Sequence, residues 1–284
     1  MIKQVAVIQD LSGLGKCSLT AALPVLSVLG VQACPLPTAV LTNQTGYGSY
    51  YCDDYTDRMD YFTEEWQKLH LKLDGIYTGF LGNEAQTDKI FHFMEVFRKP
   101  DTLVLTDPVM GDNGAAFPFF TPRLLSRLTE LALAANVIIP NLTECCLLAG
   151  QDYEALTARS SSEEYFRYIG DTARKLLGGQ LQTVLVTGII AQPPGTSKRA
   201  YYNLAVTEKE LIWASSGMHG GSYSGTGDLL ASVICGCLVK GEDIETALKK
   251  AVRFLEAALT LTENEQTPRN DGVAFEPCLG LLLD

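Results

Sequence analysis

An α/β fold, a mostly parallel sheet with helices on both faces, is what this sequence predicts, and three observations predict it. Short apolar runs suited to buried strands alternate with helical stretches along nearly the whole chain. Polar clusters follow several of those strands, at the ends where ligands collect in such sheets. The run Ser222-Tyr223-Ser224-Gly225-Thr226-Gly227-Asp228 opens directly into the apolar stretch Leu229 to Val239, which puts a carboxylate where a helix begins.

Taken in order, Val5 to Ile8 reads as the first strand and Leu19 to Leu29 as a helix ended by Gly30. Val31 to Leu36 resumes extended structure. A polar, aromatic segment runs through Tyr61; its Tyr47, Tyr50, Tyr51, Tyr55 and Tyr61 suit a flap over a substrate, an interface or plain packing equally well. Glu64 to Leu71 then reads as helix, Gly75 to Gly79 as a buried strand, Ala85 to Phe97 as helix and Leu103 to Asp107 as strand. The rhythm continues with a helix at Leu124 to Ala135, a strand at Val137 to Ile139, a helix at Glu163 to Leu177 and a strand at Thr183 to Thr187. Arg199 to Val206 and Leu211 to Ser215 form a hairpin before two long helices, at about 225–239 and 243–262. Gln192-Pro193-Pro194-Gly195-Thr196 reads as an exposed loop. With no internal repeat, low-complexity tract or clear linker, residues 1–284 are expected to form one domain.

Composition excludes several classes. A chain of 284 residues with 46% hydrophobic content can bury a substantial core. Its net charge of −11, with no basic run, argues against nucleic acid or acidic membranes as partners. Ile2 to Ile8 has the pattern of a strand and lacks the basic region and cleavage site of a secretory signal. No apolar segment reaches membrane-span length, so a cytoplasmic location is expected. The eight cysteines contain no CxxC pair and read as reduced, buried thiols. His70, His92 and His219 are too scattered to form a metal cage and read as surface or packed histidines.

The glycine-rich run carries the chemistry. Gly225 and Gly227 let several N–H groups converge, and the positive end of the following helix reinforces the space, which suits a migrating phosphoryl group. Asp228 would stand beside the developing charge and accept the proton of an attacking hydroxyl, or it simply caps the helix. Gly13-Leu14-Gly15-Lys16-Cys17-Ser18 is not a phosphate loop, because Asp10 stands where the leading glycine belongs and Cys17 follows Lys16. Nor is it a dinucleotide fingerprint, which would need glycine in place of Ser18. Lys16 is therefore expected at the surface or on the substrate side. Asp107 and Glu144 could instead hold Mg2+ against phosphates, partly through water. Asn141 with Glu144 also fits a capping box that needs no ligand.

Asp10, Asp107-Pro108-Val109-Met110-Gly111-Asp112, Asn141-x-x-Glu144 and Gly225-Thr226-Gly227-Asp228, in this spacing, resemble the ribokinase superfamily, and within it the pyridoxal kinases of vitamin B6 salvage. Ile8-Gln9, the stretch Leu41 to Gly48 and Tyr77-Thr78-Gly79-Phe80-Leu81-Gly82 look like that family's IQS, FSNHTxYG and SGYLG segments. The resemblance spans nearly the whole chain. It implies a three-layer ribokinase-like fold with no separate lid domain, and transfer of the ATP γ-phosphoryl group to the 5′-hydroxymethyl of a B6 vitamer. By match to the family motif, Asp228 would be the base and Gly225, Thr226 and Gly227 the anion hole. Asp107, Asn141, Glu144 and Thr187 would serve ATP, with Asp107 and Glu144 on Mg2+. Asp10, Ser12, Thr45 and Phe80 would line the vitamer pocket, Asp10 and Phe80 standing where many pyridoxal kinases have Ser and Tyr. A homodimer is also implied, and a monovalent cation near the phosphates is common in the superfamily.

Other readings stay open. Asp10-Leu11-Ser12-Gly13 also looks like the opening of the hydroxymethylpyrimidine kinases of thiamine synthesis, although those usually place Cys where this chain has Asp228. A non-catalytic nucleotide or vitamer sensor would show a degraded site, whereas Asp107, Asn141, Glu144 and the Gly225–Asp228 run are intact. A sugar kinase would want a polar sugar pocket in place of the aromatic-flanked Thr45 and Phe80.

Overall fold

Strand β1 (Lys3–Ser12) is buried along most of its length, and its central residues Val5 to Ile8 have no exposed surface. In the computed structural model, which describes residues 2–160, 164–192, 199–219 and 221–283, the chain divides into two compact units. One comprises Met1–Leu105 with His219–Asp284, the other Thr106–Met218. The loop expected at 192–196 lies, after Gln192, outside the described residues.

In the first unit β1 pairs in parallel with β2 (Val31–Leu41) on one side and β4 (Gly75–Thr78) on the other. Beyond β4 lies β5 (Leu103–Thr106), and β3 (Cys52–Asp54) closes the opposite edge, antiparallel to β2. The extended run at 31–36 thus continues through Pro35 and Pro37. β3 pairs only with Ala39 to Leu41, so those prolines lie where the outer edge of β2 has no partner strand to bond. The β1–β2 register shifts between Gln9 and Leu11, and this irregularity falls on Asp10.

Helix α1 (Ser18–Val28) returns from β1 and packs on β1, β2 and α8 (Thr226–Val239). α8 is buried on almost every side, as its unbroken apolar sequence requires. α9 (Ile244–Asn264) covers it with an amphipathic face and starts at an Asp243 cap. α2 (Met59–Lys68) and α3 (Glu84–Phe97) pack together through Trp66 and Phe93. α2 begins five residues before the expected Glu64. It buries only Met59 and Thr63, too few positions to give a clear period.

The second unit repeats the strand-helix alternation. β8 (Val137–Ile138) pairs in parallel with β9 (Thr183–Ala191), which continues antiparallel into β10 (Ala200–Val206) and β11 (Leu211–Ser216), the expected hairpin. Helices α4 (Pro122–Ala134) and α7 (Tyr165–Arg174) fall where helices were expected, although Glu163 is outside the described residues. α5 (Leu142–Ala149) starts at Asn141. Two elements had no expectation: α6 (Tyr153–Thr157) and a small hairpin of β6 (Gly111–Asp112) and β7 (Ala115–Ala116). The mostly parallel α/β class read from the sequence is the class the chain adopts.

No helix among the described residues is long and apolar enough to cross a membrane. Of the eight free cysteines, Cys145, Cys146, Cys235 and Cys237 are buried as expected; Cys17, Cys34 and Cys278 are half-buried and Cys52 is exposed. No His/Cys/Asp/Glu group with metal-holding geometry occurs among the described residues. Phe254, fully buried on α9, tests the packing of the first unit. Phe254→Ala should lower unfolding free energy by about 3–5 kcal/mol in chemical denaturation; a loss below about 1 kcal/mol would contradict the buried position.

Candidate active site

The start of α8 is built by close approach. Gly225 precedes the helix with φ +82°, and a Cβ on it would lie 1.8 Å from the Lys16 carbonyl oxygen, so no other residue fits. The first-turn amides of α8 have no intrahelical acceptor by position, and no side chain caps them. Thr226 turns its hydroxyl to the Tyr223 carbonyl at 2.8 Å, which steadies the loop. Asp228 lies inside the first turn rather than at the cap, so the capping role does not describe it. The residue is half-buried overall, yet withdrawal of its carboxyl from solvent pushes its pKa up to about 6. The Ser18 amide opposes the shift, while the charge of Asp10 adds to it.

Asp10 is buried at the β1 irregularity, and its two oxygens accept from Ser12 Oγ at 2.9 Å and Ser18 Oγ at 2.5 Å. It does not cap α1, whose cap position is Cys17 with no side-chain bond. Burial raises the Asp10 pKa, and the two hydroxyls work against that rise. Burial, then the charges of Asp228 and Asp10, push the Cys17 thiol up to about 12. Both carboxylates therefore act on one locus at the β1–α1 turn. Beside Asp10, Gln9 is fully buried and packs over Gly79. Neither its amide oxygen nor its nitrogen meets a protein partner among the described residues, the condition of a group that a polar ligand would satisfy.

The segment holding Thr45 is fastened on both sides. Gln44 is buried and donates to Ser224 Oγ at 3.3 Å and to the Asn270 carbonyl at 3.2 Å, while accepting from the Gly46 amide at 2.6 Å. Tyr47 Oη donates to Asp271 at 2.5 Å, and Asn270 donates to the Gly46 carbonyl at 2.7 Å. Thr45 itself is exposed between these anchors. Phe80 is half-buried, so it is not a core residue, and its carbonyl accepts from Thr38 at 3.3 Å. Lys16 is tied to Glu276 at 2.7 Å and lies over the Phe275 ring.

The second unit gathers another set. Asn141 and Glu144 form the capping box: the Glu144 amide donates to Asn141 Oδ1 at 3.0 Å, and the Asn141 amide to Glu144 Oε2 at 2.8 Å. The other Glu144 oxygen accepts from the Met110 amide at 2.8 Å. Glu144 is buried, and that burial holds its pKa above the usual carboxylate range despite three main-chain donors. Asn141 also donates to the Gly111 carbonyl at 2.8 Å and bridges Thr187 in parallel. Capping and convergence thus coincide: the box binds the 110–111 turn to the strand end carrying Thr187. Asp107 is half-buried just after β5, and Asp112 is exposed on the small hairpin. Val109 between them has φ +27°, a costly conformation for a β-branched side chain.

A helix start with no capping side chain and a poised carboxyl in its first turn, on an α/β scaffold, suit phosphoryl transfer. Residues 17–272 match the family model of the phosphomethylpyrimidine kinases, and the chain belongs to that family. It is 34% identical to a Bacteroides thetaiotaomicron protein described as a candidate phosphomethylpyrimidine kinase and crystallised with pyridoxal (TM-score 0.85, covering 99% of this chain and 96% of that one). It is 27% identical to the pyridoxal kinase of Lactobacillus plantarum, with a TM-score of 0.86 over 100% of this chain and 97% of that one. Pyridoxal kinase PdxY of Leifsonia xyli is 27% identical over 262 residues, 90% of this chain and 88% of that protein.

Sequence reasoning missed Ser18, which met attention only as the residue that spoils a dinucleotide motif, and the 269–271 turn, which has no motif of its own. Since the folded pKa of Asp228 exceeds that of a free carboxyl, its ionisation costs stability as pH rises from about 4 to about 6. Asp228→Asn should therefore be more stable than the parent at pH 7.5, by about 3 kcal/mol, and match it near pH 4. Equal melting temperatures at both pH values would contradict the buried ionisation.

Proposed function

We propose that this protein is an ATP-dependent kinase of vitamin B6 salvage, phosphorylating the 5′-hydroxymethyl group of pyridoxal, pyridoxine or pyridoxamine. The observation that carries the reading is Asp228 in the uncapped first turn of α8, beside the buried Asp10. Relatives named pyridoxal kinases over nearly the full chain, and a relative crystallised with pyridoxal, support the substrate class.

In this mechanism Asp228 takes the proton of the substrate hydroxyl as that oxygen attacks the γ-phosphorus. The new O–P bond forms as the bridging P–O bond to ADP breaks. The amide of Gly225, before the helix, and the first-turn amides of Thr226 and Gly227 receive the charge on the phosphoryl oxygens, a fixed dipole that needs no rearrangement during transfer. A carboxyl with a pKa near 6 is ionised at neutral pH yet basic enough to hold the proton. Asp10, Ser12, Thr45 and Phe80 orient the vitamer, with Gln9 as a further polar partner. An Asp10 carboxylate would accept from a ring N–H, hydroxyl or amine.

Asn141 and Thr187 serve the nucleotide, and residues 1–284 work as one kinase domain. Asp107 and Glu144 supply the hard oxygen donors that suit Mg2+, Glu144 through water because both its oxygens already accept main-chain amides. When bound, Mg2+ neutralises charge on the ATP phosphates. A cytoplasmic homodimer, with a monovalent cation near the phosphates, completes the reading.

With Mg-ATP, kcat/KM should be highest for a B6 vitamer among pyridoxal, pyridoxine, pyridoxamine and hydroxymethylpyrimidine. A preference for the pyrimidine would replace the substrate assignment, and no turnover of any would remove the kinase reading. Asp228→Asn should cut kcat roughly a hundredfold while ATP affinity changes only a few-fold; parallel loss of both would make Asp228 structural.

A further inference from the structure

Ser18 combines three features that no packing need explains. It is buried at the first position of α1 with φ +48°, a left-handed conformation that non-glycine residues seldom adopt. Its hydroxyl donates to Asp10 at 2.5 Å. With Ser12 it supplies the two side-chain donors that hold the buried Asp10 carboxylate at the β1 irregularity. Backbone strain of this kind persists where the surrounding site over-determines it.

We propose that Ser18 is a positioning residue that holds the Asp10 carboxylate in place, so that the vitamer oriented by Asp10 presents its hydroxyl to Asp228. This rests on Asp228 acting as the base. The surroundings leave little alternative support. Ser12 contributes the other hydroxyl bond to Asp10, Cys17 is a protonated thiol, and the only cation of the turn, Lys16, is engaged by Glu276. Without the Ser18 hydroxyl, Asp10 keeps one side-chain donor and is free to swing.

Glycine and alanine substitutions at Ser18 separate positioning from folding, because glycine accepts the left-handed backbone and alanine does not. Ser18→Gly and Ser18→Ala should both lose about tenfold in kcat/KM for the vitamer, with the KM for ATP within twofold of the parent, while Ser18→Gly melts above Ser18→Ala. In an Asp10→Ala background, Ser18→Gly should change kcat/KM by less than twofold, since the hydroxyl then has no carboxylate to hold. If activity instead follows stability, with Ser18→Gly at parental kcat/KM, or if the two substitutions multiply independently, the proposal is overturned. Asp228→Asn, assayed in parallel, reports on the premise alone. Undiminished turnover there defeats the base assignment, whereas a hundredfold loss beside a fully active Ser18→Gly defeats only the role of Ser18.

Discussion

The contact between the Lys16 carbonyl and Gly225 is the constraint on which the site in the first unit depends. A Cβ at Gly225 would come within 1.8 Å of that oxygen, so the β1–α1 turn and the start of α8 meet backbone to backbone. Gly272 repeats the theme, since its Cβ would lie 2.9 Å from Lys16 Cβ and 3.0 Å from the Lys16 amide. Three separate stretches of chain, near residues 16, 225 and 272, converge so closely that neither glycine has room for a Cβ. This convergence lets Ser224 and Asn270 reach Gln44.

Around that junction the protein holds two carboxyls out of water, which is unfavourable unless donors compensate. Asp10 receives two hydroxyls and the Ser18 amide opposes the shift at Asp228, yet burial wins at both, because both pKa values lie above the free range. The second unit compensates its buried Glu144 differently, with main-chain amides from Asn141, Met110 and Gly111. Asp228, with the fewest donors, is the carboxyl best poised to exchange a proton. Glu144, with both oxygens occupied, is better suited to fixing the 110–111 turn and to contacting a cation through water.

Much of this was legible in the sequence because it rests on local signals. α8 was marked by an unbroken apolar run after glycines, α5 by Asn141 and Glu144 at capping-box spacing, and the parallel strands by short apolar runs. Polar residues hid the rest. β1 extends four residues beyond Ile8, through Gln9, Asp10 and Ser12, which break the apolar pattern because the site is built there. Prolines disguised the second half of β2, and β3 is three residues with one half-buried position. The β6–β7 hairpin could have been found: Asn113-Gly114 is the favoured two-residue turn, and both residues have positive φ. The bond of Ser18 to Asp10 had no sequence signal, since it depends on a left-handed serine beside an irregularity in the strand.

Asp228 is a carboxyl withdrawn from water yet ionisable near neutrality, and catalysis as proposed depends on that. Its titration can be followed directly by carbon-detected NMR of protein labelled at aspartate carboxyls, with Asp228→Asn identifying the resonance. An apparent pKa near 6 for that signal is the predicted result. A value at or below that of a free aspartate, about 4, would mean a solvated carboxylate and would contradict the account at its centre.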